Sequence, residues 1–205
     1  MKLVVQQFLT LDGVVQGPGL PDEDRSGGFD HGGWQVPYAD DVFGQIVTDS
    51  IARADGFLLG RKTYEIFAGY WPRVTDPDNP VAGMLNHQPK YVASKTLDKV
   101  EWNNSTLITG DVAAEVARLK GESGRELQVH GSADLAQTLM RHDLVDEYRL
   151  FLYPIVLGTG KRLFSEGAVP AAMRLVDTKP TSTGAVALTY EQAGKPEYGS
   201  FAPEE

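Results

Sequence analysis

Residues 126–164, with the sequence ELQVHGSADLAQTLMRHDLVDEYRLFLYPIVLGTGKRLF, decide the fold of this chain. The alternation of Leu127 and Val129 is typical of a buried strand. A glycine-containing turn, His130-Gly131-Ser132, interrupts this strand. Apolar residues then recur at helical spacing over residues 135–140. The first half of the stretch therefore predicts a strand, a tight turn and a helix.

The turn at residues 130–132 leaves free backbone N–H groups at the start of the following helix. Ser132 is expected to be the N-cap, with its hydroxyl accepting a hydrogen bond from a first-turn amide. Such a helix start favours an anion, typically phosphate. An ordinary connection between a strand and a helix explains the same pattern, so both interpretations stay open here.

The second half of the stretch predicts a long strand over residues 145–153, followed by a Gly158-Thr159-Gly160 loop. Pro154 suggests a sheet edge or a bulge at the end of this strand. Its aromatic residues are candidates for a dimer contact, and core packing explains them equally well: Tyr148, Phe151 and Tyr153.

The composition excludes several classes of protein. The chain has 205 residues and a net charge of −9, which disfavours binding to nucleic acid or to an anionic membrane. It contains no cysteine, which excludes disulfides, thiolate zinc sites and cysteine nucleophiles. The apolar run at residues 1–5 is too short for a signal peptide, so a cytoplasmic protein is expected.

A first strand is predicted for residues 2–11, and a long glycine-rich segment at 16–40 follows it. This segment holds six glycines and three prolines in 25 residues, a composition typical of lids and binding loops. Phe29, Trp34 and Tyr38 are candidates for stacking on a planar substrate. Anchoring of the loop to the core is the alternative for these three aromatic residues.

A second strand, at residues 57–59, is followed by Gly60-Arg61-Lys62-Thr63 at the start of a helix. Glycine lets a ligand approach the backbone, and Arg61 and Lys62 can pair with phosphate. Two solvated surface cations are the alternative. A helix is predicted before this strand, at residues 41–54.

The remaining elements alternate between short strands and helices, which indicates a largely parallel sheet. Residues 70–88 are expected to be mostly loop. Strands are predicted at 90–93 and 106–108, a helix at 112–120, and two antiparallel strands at 173–176 and 185–192. One domain is expected over residues 1–193, with a tail at 194–205.

Four predicted strands end in small or polar residues that precede a helix or a loop: 60–63, 94–96, 109–111 and 130–133. Ligands of open α/β sheets bind at the carboxyl ends of the strands. These four corners should therefore meet at one edge of the sheet. Cations at two of the corners favour a dinucleotide over a single sugar or a metal ion.

The chain resembles the dihydrofolate reductase-like proteins, and more closely the branch named after the reductase domain of the bifunctional riboflavin-biosynthesis protein. The resemblance spans residues 2–192. It is carried by five motifs: TLDG at 10–13, LLGRKTYE at 58–65, VASKTL at 92–97, VHGSADL at 129–135, and LVDEYRL with PIVLGTGKRLF within 144–164.

This resemblance implies a three-layer fold, with a mixed, mainly parallel sheet of about eight strands, helices on both faces and antiparallel C-terminal strands. It also implies an NADPH cofactor and a homodimer. Gly110 closes one of the four corners and is counted with the cofactor site. The residues expected to contact NADPH are Val15, Gly60, Arg61, Lys62, Thr63, Ser94, Lys95, Gly110, Gly131, Ser132 and Ala133.

The expected activity is hydride transfer from NADPH to a small planar substrate, pterin-like or pyrimidine-like. Asp12, His31 and Asp41 are the candidate catalytic residues, with Asp40 as a further carboxylate at the same helix start. His130 stands where the folate enzymes have the first glycine of a Gly-Gly pair. A riboflavin-pathway reductase acting on a ribosylated pyrimidine, and a non-catalytic nucleotide-binding module, are the alternatives. The four histidines lack metal-ligand spacing, so no metal is expected.

Overall fold

A computed structural model describes residues 1–202 and shows one sheet of eight strands. The strand order is β4-β3-β2-β5-β1-β6-β8-β7. The strands are β1 (Lys2–Thr10), β2 (Ala54–Gly60), β3 (Lys90–Ala93), β4 (Ser105–Ile108), β5 (Glu126–His130), β6 (Glu147–Tyr153), β7 (Met173–Pro180) and β8 (Val186–Gln192). The helices are α1 (Asp41–Ile51), α2 (Arg61–Tyr70), α3 (Pro80–His87), α4 (Val112–Lys120) and α5 (Ala133–Arg141).

The first six strands of the sheet, from β4 to β6 in spatial order, are parallel to one another. Strand β8 is antiparallel to both β6 and β7. The predicted mixed sheet, mainly parallel with antiparallel C-terminal strands, is therefore confirmed. Parallel pairing requires a crossover between strands, and helices provide these crossovers except between β3 and β4, which a loop connects.

The core has one layer on each face of the sheet, because successive side chains of a strand point to opposite faces. Leu3 and Val5 of β1 pack with α4 and α5 on one face. Phe57 and Leu59 of β2 pack against helices on the other face, together with Leu85 of α3. The three-layer arrangement with helices on both faces is confirmed.

The prediction of a loop over residues 70–88 is wrong in its second half, where α3 forms. The side chain of Asn79 accepts a hydrogen bond from the N–H of Ala82 at 3.0 Å and caps this helix. Pro80 follows at the first helical position, where its fixed φ angle suits the helix and its missing N–H costs nothing. Leu85 anchors the helix in the core at 1% exposure.

Strand β6 lies inside the sheet, between β1 and β8. Its aromatic residues Tyr148, Phe151 and Tyr153 are buried, with exposures of 1%, 2% and 0%. Core packing, rather than a dimer contact, therefore accounts for these three side chains.

Residues 194–205 are the expected C-terminal tail, and the last three of them lie outside the described part of the chain. Within residues 1–202 the tail has no helix or strand, and Tyr198 and Phe201 are exposed. Over the same residues, no helix combines the length and the apolar character needed to cross a bilayer.

Candidate functional site

A cleft of about 940 Å³ opens at the carboxyl ends of β2, β3 and β5. Parallel neighbours end at the same edge of the sheet, so the residues that follow these strands come together although they are distant in sequence. The cleft is lined by Gly60, Arg61, Lys62 and Thr63 after β2, by Ser94 and Lys95 after β3, and by Gly131, Ser132 and Ala133 after β5. Val15, beyond the end of β1, also lines it.

The corners after β2 and β5 are joined by a cluster of hydroxyl groups. The backbone N–H of Gly60 donates to Ser132 Oγ at 2.8 Å, and Thr63 Oγ1 lies 2.8 Å from the same oxygen. Ser132 occupies the N-cap position of α5, but its hydroxyl caps no amide of that helix. The prediction of a capping hydroxyl is thus wrong, because the neighbouring corner supplies the donor instead.

Two glycines allow the backbones of these corners to approach each other closely. A Cβ on Gly60 would lie 2.5 Å from Ser132 Oγ, and a Cβ on Gly131 would lie 2.7 Å from Thr63 Oγ1. Gly131 also has a φ of +60°, in the left-handed region that favours glycine. The side chain of Gln7 fixes this turn by donating to the carbonyl of Gly131 at 2.7 Å.

Three cations at the corners of the cleft, Arg61, Lys62 and Lys95, are exposed at its rim, where they can meet an anionic ligand. Arg61 is 3.1 Å from Glu65, and its side chain remains 49% exposed. Lys62 and Lys95 lie at the corners after β2 and β3.

Ser94 is 8% exposed, and its hydroxyl accepts from two amides of its own turn. Gly110 does not line the cleft.

The glycine-rich segment forms the opposite wall of the cleft and is organised by Gln16. Gln16 Oε1 accepts from the N–H of Lys161 at 3.0 Å, and Gln16 Nε2 donates to the carbonyl of Ser26 at 2.9 Å. The backbone carbonyl of Gln16 accepts from Trp34 Nε1 at 2.8 Å. An ion pair of 2.7 Å between Lys161 and Asp24 adds a second tie to the Gly158-Gly160 loop.

The loop aromatics predicted to contact the substrate do not line the cleft. Phe29 and Trp34 are buried, with exposures of 3% and 5%, and the ring of Trp34 meets that of Tyr153 at 5.4 Å. Tyr38 contacts the same tyrosine ring at 5.9 Å. These surroundings match the alternative interpretation, in which the aromatics anchor the loop to the core.

A different set of aromatic residues faces the cleft: Phe8, Phe67, Tyr70 and Trp71. Three of them follow the helical spacing of α2 and its short 3-10 extension at Trp71–Arg73. The sequence contained this signal at positions 67, 70 and 71, since i, i+3 and i+4 share one face of a helix. Sequence analysis missed their role because core packing predicts the same spacing.

Asp12 lies beside the cleft rather than in its lining, and its carboxylate joins two loops. It accepts from the hydroxyl of Thr10 at 2.6 Å and from the N–H of Gly158 at 2.8 Å, and Arg162 approaches it at 3.2 Å. The Thr10 hydroxyl and these backbone amides lower the pKa of Asp12 to about 2. A carboxylate that is ionised at neutral pH does not serve as a proton donor.

The other predicted catalytic residues also lie outside the cleft lining. The side chain of His31 is 44% exposed and sits 3.3 Å from Asp30. Asp40 caps α1 by accepting from the N–H of Phe43 at 2.7 Å, and the hydroxyl of Ser182 leads the contacts that lower its pKa. Asp41 is exposed in the first turn of α1.

Glu23 is a carboxylate of the cleft that sequence analysis missed. Burial raises its pKa, while the N–H groups of Gly19 and Leu20, at 2.6 and 2.9 Å, oppose that shift. The sequence offered little indication of Glu23, because an acidic residue in a loop is usually solvated.

Beneath the cleft, a chain of buried polar side chains runs along the sheet. Arg149 of β6 pairs with Glu126 of β5 at 2.7 Å, and Gln128 donates to the same carboxylate at 2.8 Å. His130 follows at 3.1 Å from Gln128 and lines the cleft. Burial, with a smaller contribution from Arg149, lowers the pKa of His130 to about 4, so its ring is neutral at pH 7.

The described residues, 1–202, contain no cluster of three or more histidine or carboxylate side chains that could hold a metal ion. The cleft offers glycine-lined corners, rim cations, carboxylates such as that of Glu23, the imidazole of His130, amide side chains and aromatic rings.

Comparison with known proteins places this architecture among related chains. An uncharacterized protein of Bacillus subtilis, YyaP, is 30% identical over 195 residues, which cover 94% of this chain and 96% of YyaP. A Shewanella protein provisionally named for riboflavin biosynthesis has a TM-score of 0.70 at 22% identity, with 94% of this chain and 99% of that chain covered. Dihydrofolate reductase from Enterococcus faecalis, complexed with NADP(H), has a TM-score of 0.58 at 15% identity, with 94% and 96% covered.

These two structures share the fold of this chain, which is dihydrofolate reductase-like. The model of the RibD C-terminal domain family matches residues 1–187, which is most of the sequence. The chain belongs to the RibD C-terminal domain family.

Proposed function

We propose that this protein is an NADPH-dependent reductase that transfers a hydride to a small planar heterocycle, pterin-like or pyrimidine-like. The observation that carries the proposal is the convergence of the corners after β2, β3 and β5 on one cleft. Membership of the RibD C-terminal domain family supports the same activity. The dihydrofolate reductase of similar fold is complexed with NADP(H), which supports the cofactor.

The residues of the two joined corners suit the pyrophosphate of a dinucleotide. Gly60 and Gly131 let the two corners pack directly against Ser132 and Thr63, which brings the two helix starts close enough to face one ligand. The first turns of α2 and α5 add free N–H groups and the positive ends of two helix dipoles. NADPH, when bound, supplies the hydride, and this chain binds and orients it.

The rim cations favour NADPH over NADH in this proposal. Arg61, Lys62 and Lys95 are exposed at the edge of the cleft, where a 2′-phosphate on the adenosine would meet positive charge. Arginine and lysine both bind phosphate, arginine with the more specific bidentate geometry.

The planar substrate would stack beside Phe67 and Trp71, with the loop wall excluding water from the reacting atoms. Glu23 is the acidic residue of that wall whose raised pKa suits proton donation. A riboflavin-pathway reductase acting on a ribosylated pyrimidine is the second candidate. The family match and the provisional name of the Shewanella protein favour it.

Titration of the purified protein with NADPH and with NADH, followed by nucleotide fluorescence, tests the proposal. We expect NADPH to bind more tightly than NADH, and Lys95→Ala to weaken NADPH binding while leaving NADH binding nearly unchanged. Lys99→Ala, at an exposed site outside the cleft lining, is the matched control. Absence of NADPH binding at millimolar concentration would refute the cofactor assignment. If NADPH binds, its rate of oxidation is measured with a pterin and, separately, with a ribosylaminopyrimidine, and the compound that is reduced identifies the substrate class.

A further inference from the structure

A buried amide and a buried imidazole, the side chains of Gln6 and His130, lie side by side on the floor of the cleft. They are direct partners in the parallel register of β1 and β5, so their side chains leave the same face of the sheet. Both line the cleft, and their exposures are only 2% and 7%. The hydrogen-bonding direction of each side chain can be derived from its buried neighbours.

The orientation of the Gln6 amide is fixed by Ser50 and Arg149. Arg149 Nη1 lies 3.1 Å from Ser50 Oγ, and a guanidinium can only donate, so Ser50 accepts this bond. The proton of the Ser50 hydroxyl is then free to point at Gln6 Oε1, which lies 2.6 Å away. Gln6 Nε2 is consequently directed elsewhere, and within residues 1–202 this buried N–H donor has no partner.

The tautomer of His130 is fixed by the same kind of reasoning. Gln128 Nε2 donates to Glu126 Oε2 and to the carbonyl of Ser50, both at 2.8 Å, and both groups accept. Gln128 therefore presents its oxygen to His130 Nε2 at 3.1 Å, and that nitrogen must carry the proton. Because the lowered pKa of His130 keeps the ring neutral, Nδ1 is an acceptor. No group among residues 1–202 donates to Nδ1.

We infer that Gln6 and His130 form a neutral donor–acceptor pair that binds a lactam edge, in which a ring N–H stands beside a carbonyl group. Gln6 Nε2 donates to the carbonyl oxygen of the ligand, and His130 Nδ1 accepts from its ring N–H. This inference rests on the proposed function, since it assigns the substrate half of the same cleft. A substrate lacking this edge would leave the buried N–H of Gln6 unpaired, which is unfavourable.

Arg149 and Glu126 are positioning residues for this pair. Their buried ion pair directs the Ser50 hydroxyl toward Gln6 from one side and orients the Gln128 amide toward His130 from the other. Reversing the Gln128 amide would turn its oxygen toward the Glu126 carboxylate. Reversing the Gln6 amide would leave the proton of the Ser50 hydroxyl without an acceptor among residues 1–202. The ion pair thus selects a neutral lactam, whereas a free carboxylate at this position would select a protonated ring.

Calorimetry tests the inference by measuring the affinity of the protein for two compounds, quinazolin-4(3H)-one and its 3-methyl derivative. Each titration is run with and without NADPH. Both compounds are uncharged, and only the parent compound carries the lactam N–H. We expect the parent to bind about tenfold more tightly than the 3-methyl derivative. Gln6→Glu, which replaces the donor by an acceptor, should weaken binding of the parent by about tenfold. Gln45→Glu, an exposed change of equal charge on α1, should have no effect.

Equal binding of the two compounds, no binding of either one, or undiminished binding to a folded Gln6→Glu variant would overturn the inference. Nitrogen NMR of the imidazole rings is independent of every variant and of every ligand. It should show His130 protonated at Nε2, and a proton at Nδ1 would also overturn the inference. NADPH affinity is measured separately, so failure of the proposed cofactor is distinguishable from failure of lactam recognition.

Discussion

The backbone N–H of Gly60 donates a hydrogen bond of 2.8 Å to the hydroxyl of Ser132 and so joins the first turns of α2 and α5. These residues are 72 positions apart in the sequence, at the ends of neighbouring parallel strands. Thr63 Oγ1 shares the Ser132 hydroxyl at 2.8 Å. The two helix starts that face the cleft therefore form one unit rather than two independent turns.

We expect Ser132→Ala to loosen this unit. The N–H of Gly60 loses its acceptor, which costs about 1 kcal/mol of unfolding free energy. NADPH should bind several-fold more weakly, because the two turns no longer hold a fixed spacing. Urea denaturation and fluorescence titration measure the two effects. Ser123→Ala, at an exposed position, should change neither quantity. Unchanged NADPH affinity in Ser132→Ala would show that the hydrogen bond between Gly60 and Ser132 does not position the cofactor.

Gly131→Ala tests the close approach of the two corners. The new Cβ meets Thr63 Oγ1 at 2.7 Å and also strains a residue with a φ of +60°. Gly167→Ala is a matched control, because its φ is +80° and its Cβ would meet nothing within 4 Å. Both variants should lose about 1 kcal/mol of unfolding free energy from backbone strain. Gly131→Ala should lose more, and also lose NADPH binding; equal losses in urea denaturation would contradict a clash with Thr63.

Asp12→Asn should lower stability at neutral pH by about 1 kcal/mol, a value reduced by solvent screening at this partly exposed group. The folded pKa of Asp12, about 2, lies below its ordinary value of 3.8, so its stabilising contribution is present above pH 4. That contribution is lost as the pH falls through 4 toward 2. Thermal unfolding of the Asn variant should depend less on pH in this window. Asp98→Asn, an exposed change, should retain the wild-type dependence.

His130 predicts a second acid-sensitive window, at higher pH. Its folded pKa of about 4 lies below the ordinary value of 6.5, so the unfolded chain binds the extra proton between these values. The free energy of unfolding should therefore fall as the pH drops from 6.5 to 4. His130→Gln should flatten this slope, whereas the exposed His142→Gln should keep it. Equal slopes in the wild type and in His130→Gln would mean that the buried ring is not neutral.

The architecture could be predicted from local sequence patterns. Strand β5, the turn at residues 130–132 and helix α5 follow from alternation, glycine and helical spacing, which are properties of consecutive residues. The corner residues Gly60 and Arg61 were found in the same way. Helix α3 was missed, although Asn79 and Pro80 carried a capping signal, because three prolines between residues 70 and 88 favoured a loop.

Of the candidate site, the sequence could predict only the residues whose place depends on the end of a strand or the start of a helix. Phe29 and Trp34 have the composition of ligand-stacking residues, yet they pack against Tyr153 because the loop folds back onto β6. Asp12 has the appearance of a catalytic acid, yet Thr10 and the amide of Gly158 keep it ionised. Each outcome depends on a partner that no local pattern identifies.

By itself, the sequence determined most of the strands and helices, the glycines of the corners after β2 and β5 and the charges at the rim of the cleft, because these features belong to consecutive residues. Only the tertiary structure decided the partner of each polar group. The Ser132 hydroxyl binds Gly60 instead of its own helix, and the Arg149–Glu126 pair sets the direction of Gln6 and His130. Each polar side chain has a limited number of donors and acceptors, and each of them points in a fixed direction. Whether a group donates to a ligand or accepts from it is therefore undefined until its neighbours across the sheet are known.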